Sequence, residues 1–150
     1  MTIDVRAKGA TAETKARDEL RKLTGLVWER VPGSGALDPK HLLKGDLYVP
    51  GEKNLYSVEV KHYKDCHIDS SLLTGKSPQL LEWWEQALRQ GIQVDKKPLL
   101  IFKHDRSKFF AAFKEMPEGE FPFIFINVKG HELYVSLLVD YITYNKPKFI

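Results

Sequence analysis

Apolar positions along the chain change their spacing several times, and each change marks an element. Ala12, Ala16, Leu20 and Leu23 recur at helical intervals, and Gly25 is a natural stop, so the first helix is expected from about Gly9 to Thr24. Leu26 to Val31 is a short strand candidate. Pro32-Gly33-Ser34-Gly35 then breaks regular structure, and residues 36–45 form a long loop with a helical turn at most. Asp46 to Val49 and Leu55 to Lys61 read as two strands around the turn residues Pro50 to Asn54. In the second strand Tyr56, Val58 and Val60 fall on one face, and Ser57, Glu59 and Lys61 on the other.

Further on, Ser77-Pro78 predicts a helix start, with Ser77 as cap and Pro78 in the first turn. Leu80, Leu81, Trp84, Ala87 and Leu88 make its buried stripe, and Gly91 its end. The unbroken apolar run Leu99 to Phe102 is the signature of a strand covered on both faces. Lys108 to Phe113 is the next strand. Phe121 to Asn127 and Glu132 to Leu138 form a late hairpin around Lys129-Gly130. A helix, strands, a second helix and more strands predict an α/β or α+β chain with a central mixed β-sheet flanked by helices.

Composition narrows the class. The 150 residues are 43% hydrophobic and 29% charged, enough apolar material for one core, so a single domain over 1–150 is expected. No apolar run reaches the roughly 18 residues of a membrane span, and the N-terminus lacks a signal-type stretch. One cysteine, Cys66, excludes an internal disulfide; together these features predict an intracellular, cytoplasmic protein without a membrane partner. Residues 1–64 carry 12 Lys/Arg against 9 Asp/Glu and hold the entire net charge of +3, which suits a polyanionic partner.

The chemistry concentrates in the first hairpin. A four-residue turn, Gly51 to Asn54, sets Asp46 opposite Glu59 on one face; a five-residue turn shifts the pairing by one position. Converging carboxylates repel, and a divalent cation relieves that conflict. Oxygen-only ligation by few protein groups suits Mg²⁺, with Mn²⁺ able to substitute. Lys61 beside the metal can orient water and stabilise charge on a phosphate. His62, Cys66 and His67 have no second ligand pair at zinc spacing. Trp84 lies in the helix stripe and is expected in the core; Trp83, off its centre, could serve either the core or base stacking.

Asp46, a hairpin and then Glu59-Val60-Lys61 resembles the PD…(D/E)xK nuclease signature, with Gly45 where the motif has proline. Asp38-Pro39 lies nearby, but Asp46 is the aspartate that opens a strand. Lys8 to Glu13 opening a helix, and Ser34-Gly35 after the strand ending at Arg30, are similar to archaeal-type Holliday-junction resolvases. The resemblance covers residues 6–113; residues 114–150 match only loosely, as a β-rich extension. It implies a restriction-endonuclease-like core and a crossover junction endonuclease, cellular or virus-encoded. By it, Asp46 and Glu59 ligate metal, and Lys61 lies near the attacking water. Glu13 completes the metal shell directly or through water, and Ser34 contacts the scissile phosphate or orders the site. Arg6, Lys8, Lys15, Arg30, Lys40, Lys44 and Lys64 flank the site in sequence and are candidate phosphate contacts. Branched double-stranded DNA and a twofold homodimer are the implied partners. The alternatives are a restriction-like or repair nuclease on linear or nicked DNA, and a non-catalytic DNA-binding module.

Overall fold

The computed structural model describes the backbone of residues 5–32 and 44–150, with side chains from Thr11 onward. In chain order the elements are α1 (Val5–Thr24), β1 (Glu29–Arg30), β2 (Leu47–Tyr48), β3 (Tyr56–Tyr63), α2 (Ser71–Thr74), α3 (Gln79–Gln93), β4 (Lys97–His104), β5 (Phe110–Phe113), β6 (Phe123–Val128), β7 (His131–Leu137) and α4 (Leu138–Asp140). A π-helical turn, Tyr141–Asn145, follows α4. The strands form one sheet in the order β1-β2-β3-β4-β5-β7-β6. Among the described strands only β3 and β4 run parallel, joined across α3. The mixed, helix-flanked sheet expected from the sequence is the architecture observed.

Both sheet faces are covered. On one, Ala12, Ala16 and Leu20 bring α1 against Val58 and Val60 of β3, with Trp28, Tyr141 and Phe149 closing the layer. Two alanines at the contact let the helix backbone approach closely. On the other, Leu80, Leu81, Trp83, Trp84 and Ala87 of α3 pack on Leu100, Phe102 and Ala112. Leu99, Leu100 and Ile101 are therefore fully buried from both sides, the reason their segment reads as a continuous apolar run. Trp84 is buried as expected, and so is Trp83, at 3% exposure, which removes it as a direct base-stacking surface.

Several boundaries differ from expectation. Helix α1 begins at Val5, four residues before the predicted Gly9. Pro78, not Ser77, occupies the α3 cap position, and no side chain caps it. Gly91 does not end α3, which continues to Gln93. A Cβ at Gly91 would lie 2.7 Å from the Lys96 carbonyl, so glycine serves the close approach of the returning chain rather than a helix stop. Strand β5 starts at Phe110, two residues later than expected. The residues after 114 extend the same sheet as the β6–β7 hairpin, which turns at Lys129-Gly130. The short helices α2 and α4 and the π turn carried no periodic signal. Among the described residues no helix is long and apolar enough to cross a membrane.

Candidate active site

The hairpin adopts the four-residue-turn register: Leu47 pairs with Val58, which sets Asp46 opposite Glu59. Asn54 locks the turn from within. Its side-chain oxygen accepts the Val49 N–H at 2.7 Å, and its amide donates to the Val49 and Glu52 carbonyls. Gly45 shapes the entry to Asp46. Its φ is +89°, and a Cβ there would clash with the Val58 carbonyl oxygen. This contact seats the Asp46 N–H on Val58 O at 2.6 Å and lets Asp46 Oδ2 accept the Val60 N–H at 2.7 Å. The carboxyl is thereby aimed at the rising strand β3. Gly45→Ala combines a strained φ with a backbone clash, so chemical denaturation is expected to show a loss of about 2 kcal/mol or more.

Glu59 is 5% exposed. Its Oε1 lies 3.5 Å from Lys61 Nζ and accepts a 3.4 Å hydrogen bond from Gln86 Nε2 of α3. Its Oε2 is buried with no nitrogen or hydroxyl donor, and the Asp46 carboxyl lies within hydrogen-bonding reach of Glu59. Burial, then the nearby Glu59 carboxylate, pushes Asp46 up to about 8, against the Val60 N–H that favours its ionised form. Burial also raises Glu59, restrained by Lys61. A charged pair of carboxyls is costly in this environment without a cation. Asp46 and Glu59 therefore fit a divalent metal ion.

Helix α1 contributes Glu13, half-buried, whose charge acts on both carboxyls. Glu13 Oε2 accepts Arg30 Nε at 3.0 Å, tying α1 to β1. Among the described residues no three His, Cys, Asp or Glu side chains come close enough to form a ligand set. Asp46 and Glu59 with Lys61 beside them form the core of the site, and Glu13 stands next to it on α1. An incomplete protein shell is what Mg²⁺ takes, the remainder being water and substrate oxygen.

The sequence-predicted residues thus divide. Glu13, Asp46, Glu59 and Lys61 gather in one place. Arg30, expected on DNA, is engaged by Glu13. Lys15, Lys44 and Lys64 are exposed. Ser34 and Lys40, and the side chains of Arg6 and Lys8, lie outside the described residues. His62 pairs with Asp105 at 2.9 Å, and Cys66 Sγ hydrogen-bonds within its own loop. Gln86 is the site residue that sequence reasoning missed. The available signal was a polar residue three positions after Trp83, on the helix side that faces β3.

A family model for phage PDDEXK endonucleases matches residues 4–119. Protein D14 of Escherichia phage T5 is 49% identical over 115 residues, covering 75% of this chain and 72% of D14. Among solved structures, Hjc of Archaeoglobus fulgidus, a Holliday junction resolvase from an archaeal hyperthermophile, aligns over 91% of this chain and 89% of its own. That alignment has a TM-score of 0.43 and 15% sequence identity.

Proposed function

The chain belongs to the phage PDDEXK endonuclease family, and from that premise we propose a metal-dependent, structure-selective endonuclease that resolves four-way DNA junctions. One observation carries the chemistry: two buried carboxyls, both with raised proton affinity, converge beside a lysine, and one Glu59 oxygen has no nitrogen or hydroxyl donor. Asp46 and Glu59 would hold the divalent ion, Mg²⁺ or Mn²⁺. When bound, it supplies positive charge for the phosphate and eases ionisation of a water. Lys61 would orient the attacking water and offset charge on the phosphorus-bound oxygens. Gln86 holds Glu59 in place through Oε1. Glu13 would reach the site through water, with Arg30 fixing its carboxylate. In-line attack releases the 3′-oxygen and leaves 5′-phosphates. Ser34 would act at the scissile phosphate, and Arg6, Lys8, Lys15, Arg30, Lys40, Lys44 and Lys64 along the DNA backbone.

Junction selectivity rests on the order of Glu13, Ser34-Gly35, Asp46 and Glu59-Val60-Lys61 along the chain. Two symmetric nicks require two sites and so a twofold homodimer. Support for one comes from β6, the end strand of the sheet, where Phe123, Ile124 and Phe125 are 40–49% exposed. No charged residue occurs from Phe121 to Val128, and an apolar uncharged edge is a template for pairing. Ile124→Lys should convert a dimer to a monomer in sedimentation and replace paired nicks by single ones.

The test incubates the protein with a synthetic four-way junction and a matched linear duplex, in Mg²⁺ and in EDTA. Paired symmetric nicks confined to the junction and to Mg²⁺ are expected. Equal cutting of both DNAs would keep the nuclease and discard junction selectivity. DNA binding indifferent to Mg²⁺, with no cutting, would leave a non-catalytic binding module.

A further inference from the structure

Strand alternation carries the active-site face one step past Lys61. Ser57, Glu59, Lys61 and Tyr63 share the α3 side of β3. Tyr63 therefore lies about 7 Å beyond Lys61, two strand residues along. Tyr63 is 42% exposed, unlike Ser57 and Glu59, which are buried on the same face. The ring is not loose. It lies against Trp83 of α3 at 4.6 Å between centroids and 31° between planes. Trp83 is itself buried, braced by His67 edge-on at 5.0 Å and by Phe102 at 6.3 Å. His67 also meets the Tyr63 ring edge-on at 6.0 Å.

The result is a short stack of rings anchored in the core, with its last member open to solvent two strand residues beyond Lys61. An exposed tyrosine alone is ordinary. One held on a buried tryptophan, at the mouth of a metal-nuclease face, has a fixed orientation and loses little entropy on accepting another ring. The exposed lysine Lys64 follows it directly, so a phosphate and a flat base can be met by adjacent residues.

We propose that Tyr63 is a stacking platform for a nucleobase exposed at the branch point, one nucleotide from the cut. Within continuous duplex both faces of every base are covered by neighbours. At a junction a base face becomes available, so this contact reads DNA structure rather than sequence. The proposal rests on the nuclease reading above and adds to it a positioning group that discriminates branched from linear substrate.

The experiment uses the full chain with Ca²⁺ in place of Mg²⁺, to allow binding without turnover. Its probes are junctions and duplexes carrying 2-aminopurine at single positions. On junction binding, 2-aminopurine beside the branch should be quenched by Tyr63. Tyr63→Phe should retain the quenching. Tyr63→Leu, which still covers Trp83, should lose it and bind the junction about tenfold more weakly, with linear duplex affinity unchanged. Unchanged quenching in Tyr63→Leu, or equal weakening on both DNAs, would overturn the platform while leaving junction binding in place. A wild-type protein that binds neither DNA would overturn the nuclease reading as well.

Discussion

Glu59→Gln is expected to lower DNA cleavage by roughly a thousandfold or more and, without metal, to raise thermal stability. The two effects have one cause. In the folded chain the Glu59 carboxyl is buried with one oxygen lacking a nitrogen or hydroxyl donor, and burial lifts its proton affinity. Such a group costs folding free energy, and a neutral isostere removes much of that cost. The same substitution takes away a charged group from the proposed metal position, so cleavage should be lost with it. Lys61→Ala should match the loss of cleavage without the gain in stability. It withdraws the cation 3.5 Å from Glu59, which leaves that carboxyl harder to ionise. Single-turnover cleavage and a thermal melt of the three proteins in EDTA decide the matter. A Glu59→Gln protein that is less stable than wild type would make Glu59–Lys61 a structural ion pair and sink the metal-site assignment.

Metal and pH should act on stability in opposite directions. Asp46 holds its proton up to about pH 8 in the folded chain, against an ordinary value of 3.8. Between those values the folded state binds more protons than the unfolded one, so unfolding releases a proton and rising pH favours it. The metal-free protein is therefore expected to lose stability as pH rises from about 4 to about 8, and to level off above. Binding of Mg²⁺ requires the ionised pair and should displace a proton. The thermal shift produced by Mg²⁺ should grow across pH 6 to 8, and cleavage should rise over the same window. Asp46→Asn should flatten the metal-free profile and abolish the Mg²⁺ shift. Melts from pH 5 to 9 in EDTA and in Mg²⁺ test this; a flat metal-free profile in the wild-type protein would refute the burial argument for Asp46.

Much of this molecule is written in local spacing. The alternation of Tyr56 to Lys61 specified which side chains share a face, and the turn ending at Asn54 specified a register that sets Asp46 opposite Glu59. The run Leu99 to Phe102 announced a strand buried on both sides, and Lys129-Gly130 announced the turn between β6 and β7. The resemblance expected over 6–113 lies within the 4–119 that the endonuclease family matches. These features are legible because strand and helix periods follow from covalent geometry, and a turn of given length permits few pairings.

Other features required the chain to fold back on itself. Gln86 reaches Glu59 from 27 positions away, and Arg30 meets Glu13 across 17. Neither partner has a local pattern that marks it. Gly45 and Gly91 read as ordinary loop and stop residues, yet each is required by a backbone carbonyl that packing brings within 3 Å of its Cα substituent. Trp83 lay off the apolar stripe in sequence but is buried, because Tyr63, His67 and Phe102 close over it from separate segments. The sequence alone determined the kinds of chemistry available and the strands that carry them. The tertiary structure decided burial, and burial raises the proton affinity of two otherwise ordinary carboxyls that face each other.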